Sequence, residues 1–419
     1  MRTAAAMAGL IDSESSSKLV LALEPEAACI ASEKDSLRLR AGDTFMILDC
    51  GGGTVDITLH QAASVNPLRL DELAVPSGGA WGSTYVDAEF VNFVVRLLGP
   101  TRQPEEFKQS PNFIEHMENW ETLKLEFDPT DERQRSMSFI HLLEHVDDMK
   151  MNDMVEEYNS TFGANLRVRG KSTVVFPHSQ MEAFFNPVIE PIIQHVSGLL
   201  DAHKIKYVFL VGGFGECKLL QQRVRTEFET STCKVVVPMR PGLAVVQGAV
   251  IYGLSSAAFV SRKARFTYGV NSVAGLSAFT PAASFPHTLA HAREGNTFTD
   301  ESGDTIVRNI FSKILSCGST ITCDEKVTRK GYSAINPNQT SVRLDLYSST
   351  APGSSRLDDM LVIDQGMSKI GCVTIPVNGQ ADNVDVSLQF GTTEIRVEAM
   401  NTTTETVVDA KLDYGFNVI

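Results

Sequence analysis

The stretch Ile47-Leu48-Asp49-Cys50-Gly51-Gly52-Gly53-Thr54-Val55-Asp56 carries an apolar strand into a carboxylate and then into three consecutive glycines. Glycine lacks Cβ, so the backbone at Gly51, Gly52 and Gly53 can turn sharply and bring several N–H donors against anionic oxygens. Thr54 adds a hydroxyl at the turn, and Asp49 and Asp56 stand at its two ends. Such a pair of acids suits magnesium, which keeps several waters and takes one or two carboxylates together with nucleotide phosphates. A glycine run alone reads as an ordinary hairpin turn, whereas the flanking acids and Thr54 favour a phosphate site.

Working outward, Tyr207-Val208-Phe209-Leu210-Val211-Gly212-Gly213-Phe214-Gly215-Glu216 is a second apolar strand that ends in glycines before a helical segment. Two such turns in one chain suggest a duplicated strand–loop–helix core with ligands outside the carboxyl ends of its strands. Val86 to Leu98 and Met181 to Leu200 read as helices, the second bent by Pro187 and Pro191. Val174-Val175-Phe176 and Val235-Val236-Val237 read as short buried strands, which gives α/β architecture. The texture changes between about residues 255 and 265, where short alternating strands separated by Gly, Pro, Asn and Ser take over. In Ser341–Tyr347, Val342, Leu344 and Leu346 share one face, and Thr393–Ala399 alternates in the same way. An antiparallel β-sandwich is expected there.

Composition narrows the class. The 419 residues are 43% hydrophobic, which excludes a mainly disordered chain, and a net charge of −14 opposes nonspecific attraction to nucleic acid or anionic lipid. No apolar run is long enough to predict a membrane-spanning helix, and Asp12–Ser17 arrives too early for a secretory core. The seven cysteines are scattered, odd in number and without metal-ligand spacing, which fits a reducing, cytoplasmic setting. His141, His145, His178, His195 and His203 show no paired metal spacing with a carboxylate and read mostly as solvent-facing or helix-surface residues.

With Gly78-Gly79-Ala80-Trp81-Gly82-Ser83 between the two glycine turns, the pattern resembles the actin, sugar-kinase and heat-shock 70 superfamily. Leu23-Glu24-Pro25-Glu26-Ala27-Ala28, Trp120-Glu121-Thr122-Leu123-Lys124 and Pro241-Gly242-Leu243-Ala244 narrow it to the heat-shock 70 kDa protein 12 branch, over nearly the whole chain. The resemblance implies an α/β actin-like ATPase fold over residues 1–260 and a β-rich partner-binding region without a helical lid over 261–419. It also implies ATP or ADP with Mg2+ as ligand. By residue match, Glu24, Asp49 and Asp56 would be the catalytic acids, and Asp49 and Asp56 would hold the metal through water. Gly51, Gly52, Gly53, Thr54 and Gly82 would meet phosphate, while Glu121, Lys124, Gly212, Gly213, Phe214 and Gly215 would meet the nucleoside. Glu24 reads otherwise as a helix cap near Glu26, Glu121 and Lys124 as a solvated ion pair, and Phe214 as a core residue. Gly242 stands where conventional members carry Asp. The family's first phosphate hairpin is not matched upstream of Glu24, so an N-terminally truncated domain with weak or absent hydrolysis is expected. A fragment, a mis-assigned start and a shortened paralogue all stay open. The competing class is a nucleotide-independent interaction protein or scaffold with an unidentified protein partner.

Overall fold

The computed structural model describes the chain except for residues 15, 17, 37–38, 99–107, 110, 142–149, 255–257, 276–294, 301, 324, 350–361, 363–365, 391–393 and 414–419, and except for the side chains of 32–36, 394 and 411–413. His145 and Thr393 therefore lie outside the described residues.

The apolar run before the glycines forms β1 (Thr44–Cys50), buried from Phe45 onward. It turns straight back into β2 (Val55–Val65) with Asp49 opposite Asp56 and Cys50 opposite Val55. The first glycine turn is thus the tip of an antiparallel hairpin, and the duplicated strand–loop–helix expectation fails there. A four-residue connection between strands in register leaves no length for a helix. The second glycine turn behaves as expected. It follows β8 (Tyr207–Val211) and leads through a 3-10 turn, Phe214–Glu216, into the Lys218–Phe228 helix.

Alongside β1, β8 runs parallel with Asp49 opposite Val211, so both glycine turns lie at neighbouring carboxyl ends. The sheet is completed by β3 (Leu68–Glu72), β4 (Ser77–Gly79), β9 (Lys234–Val236), β10 (Phe259–Lys263) and β14 (Thr320–Thr322), in the order β14-β10-β3-β2-β1-β8-β9 with β4 on β2. Alternation along β1 and β2 divides their side chains between two cores. Met46, Leu48, Cys50, Val55, Ile57 and Leu59 face the larger cluster. That cluster includes the Thr84–Leu98 helix and the 25-residue His178–Ala202 helix, which runs through both Pro187 and Pro191. Phe45, Ile47 and Ala62 face a second cluster with the Glu24–Ser36 and Ala244–Leu254 helices. A small antiparallel sheet of β5 (Arg135–Ser138), β6 (Arg167–Arg169) and β7 (Thr173–Phe176) closes the larger cluster, so the predicted 174–176 strand belongs to a separate sheet.

Beyond β10 the ladders are antiparallel. One sheet takes β11 (Thr267–Gly275), β12 (Thr297–Thr299), β13 (Thr305–Leu315), β16 (Ser341–Ser349) and β17 (Met367–Pro376). Another takes β15 (Lys326–Ser333), β18 (Asn383–Gln389), β19 (Glu394–Asn401) and β20 (Val407–Asp413). Val342, Leu344 and Leu346 are buried, as their alternation predicts, in one cluster with Val384, Val386, Leu388 and Val397 of the other sheet. The division drawn at 260/261 falls inside β10, which pairs with β3 of the first sheet. No described helix is long and apolar enough to cross a membrane.

Candidate functional site

Three acids from separate segments meet at the carboxyl end of β1. Asp49 is 5% exposed, and its Oδ2 is buried without a hydrogen-bond partner. Burial first, then the charges of Glu24 and Asp56, raise its pKa to about 7. Glu24 is the first residue of the Glu24–Ser36 helix, where its exposed carboxylate also favours the helix N-terminus. Asp56 accepts a 3.0 Å hydrogen bond from the Thr54 hydroxyl, so that hydroxyl's proton is held locally.

The glycine tip is shaped from below. Gly82, Ser83 and Thr84 donate their N–H groups to the carbonyls of Gly53, Gly51 and Gly52 at 3.2, 3.1 and 2.9 Å. A Cβ on Gly82 would lie 2.2 Å from the Gly52 oxygen, which explains why only glycine fits there. Gly51 N–H bonds to the Thr54 carbonyl, whereas the exposed Gly52 and Gly53 present N–H groups that bond to no described protein group. Carbonyls held from beneath and backbone donors with no partner among the described residues give the tip an arrangement that suits anionic oxygen.

The second glycine turn packs directly against Asp49. Gly212 has φ +83, and a Cβ there would stand 2.3 Å from the Cys50 carbonyl oxygen and 2.5 Å from Asp49 Oδ1. Its N–H bonds to the Pro241 carbonyl at 3.1 Å. Gly213 is exposed with open space around its Cα, while a Cβ on Gly215 would make only ordinary contacts. Phe214 is 4% exposed and sits in the larger hydrophobic cluster, which favours the alternative reading of it as a core residue over contact of its ring with the nucleoside. Gly242 has an explanation in Glu216: its N–H donates to Glu216 Oε1, and a Cβ would lie 2.9 Å from that oxygen. An aspartate at 242 would bring like charges together.

Glu121 and Lys124 share a face of the Pro111–Leu125 helix as predicted, but Lys124 is not solvated. Its side chain is 8% exposed and bridges Asp87 at 2.8 Å and Glu121 at 2.5 Å. Trp120 Nε1 donates to the same Asp87 oxygen. Burial raises the pKa of the Cys217 thiol just beyond the second glycine turn, and the Lys124 charge offsets a small part of that. No bond among the described residues joins this group to Asp49, Glu24 or Asp56. Asp87 was not anticipated, because Thr84-Tyr85-Val86-Asp87 reads first as a helix-start pattern. Of the histidines read as mostly solvent-facing or helix-surface residues, His141, His178, His195 and His203 are partly exposed, and His195 bonds Ser77 Oγ at 2.9 Å. His60 and His116 are buried.

A cavity lies in the β-rich segment. The β11–β16 ladder runs from Thr267 opposite Ser349 to Val270 opposite Leu346 and stops. Beyond it, Asn271–Gly275 and Val342–Leu344 diverge around a cavity of about 400 Å³. Arg308, Asn309 and Tyr332 also line it, and Asn309 holds φ 63.

No protein-family model matches the chain. Among curated proteins it is similar to heat shock 70 kDa protein 12A of Mus musculus, at 27% identity over 99% of this chain and 68% of that protein. It is also similar to heat shock 70 kDa protein 12B of Homo sapiens, at 27% identity over 100% of this chain and 68% of that protein. The chain is thus heat shock 70 kDa protein 12A/12B-like along its length.

Proposed function

We propose that this chain is an atypical heat-shock 70-like protein that binds ATP or ADP with Mg2+ through an actin-like nucleotide domain. In this reading it is cytoplasmic and chaperone-like, and it hydrolyses ATP weakly or not at all. The observation that carries the proposal is Asp49, a buried carboxylate with an unpartnered Oδ2 beside open N–H donors. The residues present fit the group: Asp49, with its unpartnered Oδ2, stands opposite Asp56 across the hairpin, a pair of carboxylates that suits a cation held through water. Bound Mg2+ would offset phosphate charge, a need set here by the acids at the site. Asp49, Asp56 and Glu24 would orient the hydration shell, while Gly52 and Gly53 would donate to phosphate oxygens. Charge supports weak turnover in this reading: no arginine or lysine among the described residues bonds to Asp49, Asp56 or the 51–54 turn. Loss of one well-aimed donor costs roughly 10²–10³ in rate.

The β-rich segment would be a sandwich that binds a protein partner. Beside the cavity, the facing edges of β11 beyond Val270 and of β16 before Leu346 pair with no strand among the described residues, which suits an extended peptide segment. Titration of the folded chain with Mg–ATP should saturate and should be lost in Asp49→Ala. A monodisperse, folded chain that binds no nucleotide would sink the reading. The scaffold reading draws on Lys124, already committed to Asp87 and Glu121, and on the burial of Phe214. Partner capture unchanged by ATP and by Asp49→Ala would favour it.

A further inference from the structure

Close to the acidic site lies a buried ionic group that the reading above does not use. On the β2 face that carries Asp56, the next alternate residues are Thr58 and His60, both buried. The His60 ring lies between Phe45 and Phe259, with centroids 5.5 and 5.7 Å away. Beside it, Arg262 of β10 reaches Glu26 of the Glu24–Ser36 helix. One guanidinium nitrogen stands 2.7 Å from one carboxylate oxygen and 2.9 Å from the other. Both side chains are only 5–6% exposed.

The neighbours of Arg262 fix β10 from the other side. Ser261 Oγ donates to Asp71 Oδ1 at 2.6 Å, and Lys263 N–H donates to Glu72 Oε2 at 2.6 Å. On the helix, the residue after Glu26 is clamped by packing: a Cβ on Gly248 would stand 1.7 Å from the Ala27 carbonyl oxygen. A buried ion pair seldom outperforms apolar side chains of similar volume as a source of stability. This pair instead fixes direction, because it ties a strand at the start of the β-rich segment to the helical turn that begins with Glu24.

We propose that Arg262 is a positioning residue for the nucleotide site: through Glu26 it sets the first turn of the Glu24–Ser36 helix and so holds Glu24 beside Asp49. The inference rests on the nucleotide reading for its functional consequence, and on the ion pair alone for its structural one.

Arg262→Met by itself strands the Glu26 charge, so the informative variant combines Glu26→Leu with Arg262→Met and fills the site with apolar volume. That protein should melt cooperatively yet bind Mg–ATP roughly 10–100-fold more weakly, the usual cost of losing a supporting partner behind a metal site. Glu24→Gln should weaken binding in the unmodified chain and add little in the double variant. Without nucleotide, amide exchange at Ala27–Ile30 and along β10 should quicken. Unchanged affinity, with Glu24→Gln costing the same in both backgrounds, would overturn the proposal. If the double variant does not fold, Arg262→Lys, which keeps the charge and loses the planar fork, is read the same way. If the unmodified chain binds no Mg–ATP, the nucleotide reading falls separately and exchange decides. Unchanged protection of the helix turn then overturns the role of Arg262, and faster exchange upholds it.

Discussion

Replacing Asp49 by asparagine tests the electrostatics of the site directly. Burial and the charges of Glu24 and Asp56 raise this carboxyl from its ordinary 3.8 to about 7. Between those values the folded chain keeps a proton that the unfolded chain releases, so the contribution of Asp49 to stability falls as pH rises through that window. Raising a carboxyl from 3.8 to about 7 corresponds to about 4 kcal/mol lost by pH 8. Asparagine cannot ionise and escapes that loss. Its amide meets an Oδ2 position with no partner, at a pH-independent cost of about 1–3 kcal/mol. Urea denaturation of both proteins at pH 4.5, 6 and 8 should therefore give curves that cross, with Asp49→Asn less stable in acid and more stable at pH 8. Mg–ATP binding should be lost at every pH. Parallel stability profiles would refute the assignment of a destabilised carboxylate at Asp49.

Other outcomes follow from the same geometry. Gly212→Ala, which meets φ +83 and two oxygens within 2.5 Å, should cost about 3 kcal/mol or more in thermal or urea unfolding, whereas Gly213→Ala has open space and should be near neutral. Asp87→Ala orphans the Trp120 N–H and removes one of the two carboxylates on buried Lys124. Denaturant titration should show a loss of about 3 kcal/mol. His60 is held neutral, its pKa lowered to about 3 by burial and Arg262, so it withdraws stability as pH falls from 6.5 toward 3. His60→Gln should flatten that limb of the acid unfolding curve. In the β-rich segment, Ala274→Trp should fill the cavity beside β11 and abolish capture of a peptide partner while leaving Mg–ATP titration unchanged.

Local signals in the chain carried much of this picture. The apolar runs at 45–50 and 207–211, the alternation at 342–346 and the helix spanning both prolines were legible because each depends on periodicity and burial along a short segment. The acids Glu24, Asp49 and Asp56 were legible as types at glycine and proline turns, but not as neighbours. Their meeting required β1 and β2 to pair in register and the Glu24–Ser36 helix to cover that face of the sheet.

Sequence by itself determined where the chain turns, which runs are buried and where its short carboxylate and glycine motifs stand, since these follow from side-chain type and spacing. Tertiary structure alone decided that the first glycine turn is a hairpin tip and that Phe214 points into the core. It alone decided that Lys124 is spent on Asp87 and that Arg262 reaches Glu26 across 236 residues of chain. Partner choice, burial and charge compensation are properties of groups brought together through space, and no local window of residues contains them.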